Sequence, residues 1–330
     1  MVTIKDVAKA SGYSSTMVSY ALNGKGNLKE ETRQKILQVA KELGYVPNSA
    51  AVALRSKKTK MIGLILRNIF NPTFAQLANC IEQTLSEYGY HLTIFSTHGQ
   101  KRNNDSIIEF CKGGRLDGLI YSVIALDEET LKSLHQYQNS VVLSVSEVSD
   151  VQYGSYIATE HLLRLGHKNV AHVASPIDHP NSKHMIKGFE RALKVYGKPF
   201  DPQLIAYGGH EMGDAEAAAE KLINRLGTPI AIFAASDFAA FGVLNYARKR
   251  GLKLEKDIFL VGWDNIPFSE SIGLTTVAIR HEAIARSAVH RLLRTIEPDG
   301  EFPEVEIPPY ELIVRSSCGS LKNHGEDLLE

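Results

Sequence analysis

TIKDVAKASGYSSTMVSYALNG, Thr3–Gly24, is the stretch on which the reading of this chain turns. Ile4, Val7 and Ala8 share one helical face, and Thr3 and Asp6 have the spacing of a capping box. Ser11–Gly12 ends that helix after two turns. A second helix is expected from Ser14–Ser15, with Val18, Ala21 and Leu22 inward, ending at Asn23–Gly24. After the loop GKGN a third is expected over Glu30–Leu43, with Ile36, Leu37, Val39, Ala40 and Leu43 inward and Gly44 as its stop. Two short helices about a tight turn form a helix-turn-helix, whose second helix enters the major groove of DNA. Ser15, Thr16, Ser19 and Tyr20 are then the exposed positions facing bases and phosphates, and Met17 packs inward or touches a thymine methyl. A plain helical hairpin in a small bundle has the same pattern, so both readings stand at this level.

Charge adds to the first. The whole chain carries 37 Lys/Arg and 37 Asp/Glu, but residues 1–60 hold 11 and 4, a net of +7 against −7 elsewhere. A basic appendage on an acidic body suits a polyanionic partner, though charge alone carries no base sequence. Pro47–Asn48 opens SAAVALRSKKTK, in which Asn48 can cap a helix of two turns at most. Such a helix is marginal alone in water.

From Met61 the rhythm changes. MIGLIL, LTIFS, GLIYSV, VVLSV, VAHVA, LIAY, AIFA and FLVGW read as buried strands. Amphipathic stretches separate them, among them the face Phe74, Leu77, Ala78, Ile81, Leu85 and Tyr88, and the segments Ala215–Leu226 and Phe238–Arg250. This alternation predicts an α/β body of doubly wound parallel sheet, with eight strands forming either one sheet or two lobes. Tyr153–Gly166 is the candidate crossover between lobes, and the polar tail after Cys318 reads as frayed. Three scattered cysteines without CxxC fit a reducing cytosol. No apolar run reaches the ~20 residues that span a bilayer, so membrane insertion is not expected.

Thr3–Gly24, followed by ETRQKILQVAKELGYVPN (Glu31–Asn48), closely resembles the start of the LacI/GalR family of bacterial transcription regulators. RLDGLI (Arg115–Ile120), HLLRLGHKNVAHV (His161–Val173), GFERAL (Gly188–Leu193), AIFAASDFAAFGVL (Ala231–Leu244), VGWDN (Val261–Asn265) and LTTV (Leu274–Val277) follow in the family's order. The resemblance implies an all-α helix-turn-helix headpiece over 1–46, a hinge helix and linker over 47–60, and a periplasmic-binding-protein-like effector and dimerisation domain over 61–330. Its lobes would be roughly 61–157 and 158–285, with crossovers over 286–330. It also implies a homodimer on a pseudo-palindromic double-stranded operator, most simply as a cytoplasmic repressor, with a small sugar-like effector between the lobes. Ser15, Thr16 and Tyr20 are the implied base readers; Ser14, Ser19 and Asn23 the implied phosphate-positioning groups, with Thr3 also among the DNA-binding residues. Asn48–Arg55, including Ala51, matches the hinge helix, and Leu54 matches the leucine wedged into a central base step. Val52 stands where many members carry arginine.

In a doubly wound lobe, ligands sit at the carboxyl ends of the strands. That places Asn71, Thr73 and Phe74 after the first strand, Ser236 and Asp237 after AIFAA, and Asp264 after FLVGW in the expected effector cleft. By resemblance Asp264 is the acid that accepts sugar hydroxyls. Met185, Ser236 and Ile279 replace the family's usual arginine, asparagine and polar residue, which weakens the sugar default. His179, Asn181 and His210 are placed to substitute, against the plainer reading of solvated surface residues.

Catalytic readings fare poorly. HEMGD at His210 and HEAIA at His281 lack the second histidine of a zinc-protease helix, and GKGN lacks the rest of a phosphate loop. No GxSxG elbow occurs, and His161, His167 and His172 read as scattered rather than clustered. No cofactor, metal or membrane partner is expected. Two rival functions remain at this level: a small-molecule-binding protein without a DNA role, and a sugar-processing enzyme on the same lobes.

Overall fold

A computed structural model describes residues 2–24, 26–46, 58–98, 101–122, 126, 128–135, 139–143, 150–208 and 212–319. The hinge positions Asn48, Ala51, Val52, Leu54 and Arg55, together with His210 and the tail after Gly319, lie outside them. The chain forms two compact units, Met1–Lys60 and Met61–Glu330.

The first unit is three helices: α1 (Ile4–Ser11), α2 (Ser15–Leu22) and α3 (Glu30–Glu42). The Thr3 N–H and hydroxyl both donate to Asp6 Oδ2 at 2.7 Å, which also lowers the Asp6 pKa. Gly12 and Gly44 take positive φ, 76° and 63°, at the ends of α1 and α3, where a left-handed residue satisfies the last carbonyls. Val7, Val18, Ala21, Ile36 and Ala40 form the core. Leu43, expected inward, is 37% exposed, because α3 ends one residue earlier and the chain turns at Gly44.

The body has two sheets rather than one. The four-stranded sheet has order β2-β1-β3-β4, from β1 (Met61–Leu66), β2 (His91–Ser96), β3 (Gly118–Ser122) and β4 (Ser140–Leu143), all parallel. The six-stranded sheet has order β10-β9-β8-β7-β5-β6, from β5 (Val170–Ala174), β6 (Ile205–Tyr207), β7 (Ile230–Ala234), β8 (Ile258–Asp264), β9 (Thr275–Ala278) and β10 (Glu311–Ile313). The eight expected strands are present. β9 and β10 are additional, and β10 runs antiparallel on β9.

Helices cover both faces of each sheet. In the first lobe, α4 (Pro72–Glu87) packs Leu77, Ile81 and Leu85 on Ile62, Leu64 and Leu66. The segments α5 (Lys101–Lys112) and α6 (Glu128–His135) cover the other face, around Ile65 and Leu119. In the second lobe, α7 (Val151–Arg164) and α8 (Ser182–Val195) share a core with Phe233 and Trp263. They cross closely at Gly188, where a Cβ would lie 2.3 Å from the Gln152 carbonyl oxygen. On the opposite face lie α9 (Met212–Leu226) and α10 (Asp237–Lys249); α11 (Pro267–Ser271) follows β8.

The expected lobe boundary needs correction. Residues 153–166 do not cross between the lobes: they belong to α7 and its end, packed wholly in the second lobe, so a lobe boundary at 157/158 would cut a helix. The return to the first lobe is made by α12 (His281–Ile296), whose Ile284, Ala285, Leu292 and Leu293 enter the core with α4. The chain then goes back to the second sheet as β10. Beyond it, Ser317 Oγ donates to the Leu260 carbonyl at 2.6 Å and Cys318 is fully buried. His161 Nε2 lies 3.2 Å from Cys318 Sγ, and His167 Nε2 3.1 Å from its carbonyl oxygen. Two of the three histidines read as scattered therefore meet at one residue, about 150 positions downstream of either. His172 sits apart in the core.

Candidate functional site

The outer face of α2 is built by capping and burial. Ser14 Oγ accepts the Met17 N–H at 3.2 Å and starts α2, while Val18 and Ala21 anchor it to the core. This leaves Ser15, Thr16 and Tyr20 exposed on the outer face. The Tyr20 ring packs over Gly26, where a Cβ would stand 2.7 Å from Cδ2. Gly26, at φ 78°, lets the loop pass beneath the ring. Ser19 corrects the expectation: it is only 5% exposed, and Asn23 Nδ2 donates to its carbonyl at 2.7 Å and its hydroxyl at 3.3 Å. A small hydroxyl beside Val18 turns inward here because Asn23 satisfies it. Thr3 and Asn23 stay near the surface, each already committed to a local bond.

In the body, the strand ends of the two lobes meet. Asn71 Oδ1 accepts the Thr73 N–H at 3.2 Å and caps α4; Phe74 packs on the first-lobe core. The Thr73 hydroxyl interacts with the carboxyl of Asp264, at the end of β8, yet its Oγ1 closes no hydrogen bond of normal geometry. Asp264 is 5% exposed and has φ 125°, outside the ordinary L-residue range; Asn265 follows at φ 56°. Burial, then the charge of Asp237, pushes the Asp264 pKa well above the usual carboxylate range. Phe70, Ile177 and Phe268, 77%, 66% and 62% exposed, stand just past the ends of β1, β5 and β8. These apolar groups were not foreseen; their position after strand ends was the available signal.

Asp237 is not a cleft group. It is fully buried, Oδ2 accepting the Ile266 N–H at 3.0 Å and the Ser269 hydroxyl at 2.6 Å, and Oδ1 the Thr276 hydroxyl at 2.6 Å. Ser236 Oγ is likewise occupied, accepting the Ala239 N–H at 2.9 Å as the cap of α10. His179 Nδ1 accepts the Asn181 N–H at 3.1 Å ahead of α8, both side chains half-buried. Met185, in the usual arginine's place, lies in the core at 2% exposure. Among the described residues no group of three His, Cys, Asp or Glu side chains could hold a metal ion, and no helix is long and apolar enough to cross a membrane.

Residues 3–48 match the model of bacterial regulatory proteins of the lacI family. Residues 59–316 match that of periplasmic binding proteins and the sugar binding domain of the LacI family. The chain belongs to the LacI family. Similar LacI-type relatives include the HTH-type transcriptional regulator DegA of Bacillus subtilis (strain 168), 33% identical over 97% of this chain and 98% of that one. Catabolite control protein A of Priestia megaterium is 33% identical over 96% and 99%, and the repressor PurR of Aliivibrio fischeri (strain MJ11) 30% over 96% and 98%. Among solved structures, a lac repressor dimer bound to operator and the anti-inducer ONPF superposes with a TM-score of 0.80 at 23% identity, covering 96% of this chain and 99% of that one. A CelR–cellobiose complex gives 0.68 at 24%, over 96% and 100%. As a LacI-family member with regulators as relatives over its whole length, the protein is a DNA-binding transcriptional regulator with an effector-binding body, and not an enzyme.

Proposed function

We propose that the protein is a cytoplasmic, homodimeric repressor whose grip on a pseudo-palindromic operator is set by a small molecule between its lobes. The observation that carries this reading is the meeting of Thr73 and Asp264 across the lobes, in a chain whose capped α2 presents Ser15, Thr16 and Tyr20 outward. The lac repressor dimer on its operator and the cellobiose-bound CelR, both of like fold, support the partners. β2 supports dimerisation: it is an edge strand with Ile94 44% exposed, a liability that a second copy would cover. In this reading 1–46 contacts the major groove and 47–60 occupies the minor groove, with Asn48, Ala51 and Arg55 near the backbone and Leu54 as wedge. Residues 61–330 bind the effector, a sugar or a compound of like polarity, through Asn71, Thr73, Phe74 and Asp264, with His179 and Asn181 at the rim. The angle between lobes then shifts DNA affinity, and operator and effector must alter each other's binding by one common factor.

Selection of bound duplexes from a random pool tests it. A pseudo-palindrome is expected; recovery of no preferred sequence by the intact protein would refute it. On the selected duplex, Leu54→Ala should reduce affinity toward the non-specific level while the body melts as before. Ser15, Thr16 and Tyr20 substitutions should change the preferred base, at about 1–3 kcal/mol per good contact. Equal losses on every sequence would reassign these residues to phosphates. Asp264→Ala should remove effector binding without altering DNA binding by effector-free protein.

A further inference from the structure

Tyr20 is 45% exposed on the outer face of α2, yet its ring is seated rather than free. The helix beneath it is fixed by the buried Val18 and Ala21. Gly26 lies against the root of the side chain: a Cβ there would stand 2.7 Å from Tyr20 Cδ2, 3.0 Å from Cγ and 3.3 Å from Cβ. The backbone is held on both sides of Gly26. Before it, the Asn23 N–H donates to the Ser19 carbonyl at 3.1 Å, and Asn23 Nδ2 donates to the same oxygen at 2.7 Å. After it, Leu28 packs half-buried on the three-helix core, and the Lys29 carbonyl accepts the Arg33 N–H at 3.0 Å as α3 begins. Neither the helix nor the backbone at Gly26 yields cheaply, so the ring keeps this seat only while position 26 has no side chain. Gly24 gives the contrast. Its φ of 65° is close to the 78° of Gly26, but a Cβ on it would meet only Arg33 Nη1, at an ordinary 3.5 Å. The two glycines share a backbone demand, and Gly26 alone carries the ring.

We infer that Gly26, which has no side chain to offer a base, is a specificity-determining residue of the operator contact: it seats the Tyr20 ring and so fixes which base edge the tyrosine meets. This rests on the reading of Tyr20 as a base contact and adds what aims it. The crowding that a methyl at position 26 would bring lies at Cβ and Cγ, so turning the ring about its own axis relieves little of it. The side chain would have to swing about χ1 toward another staggered well, about 120° away. The phenolic oxygen, at the far end of the ring, would travel several ångströms. A hydrogen bond to a base edge does not survive that, because an O–H donor must stay within a few tenths of an ångström of ~2.8 Å from its acceptor. A ring seated before DNA arrives also has less rotamer freedom to lose on binding. Position 26 therefore acts on base choice through Tyr20, as a positioning residue.

Selection from a random duplex pool with the full chain, followed by affinities for every single-base variant of the selected site, tests it. Gly26→Ala should change base preference by about tenfold at the base pair whose preference Tyr20→Ala also changes, and leave the other positions as in wild type. Gly24→Ala carries the same backbone strain and should keep the wild-type preference at every position. In the Tyr20→Ala background Gly26→Ala should alter nothing further, because no ring remains to displace; a further change there would mean that Gly26 acts without the ring, and overturns the inference. If Tyr20→Ala shifts the preference while Gly26→Ala keeps it, or weakens all sequences evenly, the inference fails and the base contact stands. If Tyr20→Ala leaves every preference unchanged, the base contact fails and the inference with it. Should Gly26→Ala not fold, the wild-type chain decides. A nuclear Overhauser contact between the Gly26 α-protons and the Tyr20 ring, present without DNA and kept on the selected duplex, supports the seat. Its absence, or its loss on binding, overturns it.

Discussion

Asp237→Ala is expected to cost the body about 3–5 kcal/mol and to abolish effector binding, although Asp237 does not face the cleft. Its carboxyl oxygens take bonds from the Ile266 N–H and the Ser269 and Thr276 hydroxyls, all within 3.0 Å. Truncation leaves three donors in a dry interior, each costing about 1–3 kcal/mol less whatever relaxation recovers. The bonds also hold the turn that carries Asp264. Thr276 Oγ1 accepts the Asn265 N–H at 3.3 Å, and Arg315 donates to Asn265 Oδ1 at 2.9 Å. Residues at φ 125° and 56° persist only where their surroundings over-determine them. With Asp237 gone the turn relaxes and the Asp264 carboxyl leaves its position. Gly262 belongs to the same device: a Cβ there would lie 2.2 Å from Asp237 Oδ1. Urea melts and effector titration check both halves. A wild-type midpoint for Asp237→Ala would remove the network from the account of stability. Full effector affinity in a folded Asp237→Asn variant would remove it from the account of the cleft.

Asp237 also marks where sequence stops being legible. Its position after an apolar strand run placed it correctly at a strand end, but strand-end position does not say which way a side chain turns. That is decided by Ser269 and Thr276, which stand 32 and 39 residues on and carry no pattern linking them to Asp237. Ser19 misled for a related reason: hydroxyls read as exposed, and only Asn23, one turn later, shows that this one is satisfied inside. Local signals did better. The Thr3–Asp6 cap, the Gly12 and Gly44 stops and the eight apolar runs each depend on neighbours within a few residues, and each appears where expected. β9 escaped because TTVA is half threonine, and β10 because a three-residue edge strand has too little length for a period. That Gln76 Oε1 and His281 Nε2 are buried without a hydrogen-bond partner was invisible too, since lacking a partner is a property of the packed interior.

Acid is expected to destabilise the body through two histidines held neutral inside it. His172 is fully buried on β5, with Nδ1 against the Phe233 carbonyl at 2.9 Å and its ring stacked on Phe233 at 4.6 Å. Burial pushes its pKa down to about 4, and His281 likewise to about 4. Unfolding returns each to about 6.5. Between about pH 6.5 and 4 the unfolded chain therefore binds protons that the folded chain refuses, so stability falls as pH drops through that window and the loss is complete below it. A fall from 6.5 to about 4 in one pKa corresponds to about 3 kcal/mol per histidine. Asp264 works in the opposite sense, because its raised pKa favours the folded state as pH falls toward the ordinary aspartate value of 3.8. The whole-protein curve is thus partly flattened, and the histidine contribution is read by difference. His172→Phe should gain about 3 kcal/mol relative to wild type between pH 7 and 4, whatever its absolute stability at pH 7. Equal slopes for the two proteins, or an imidazole resonance of His172 that titrates near 6.5 in the folded state, would show that the core tolerates the charge and that the ring is not sealed among Phe189 and Phe233 as the packing requires.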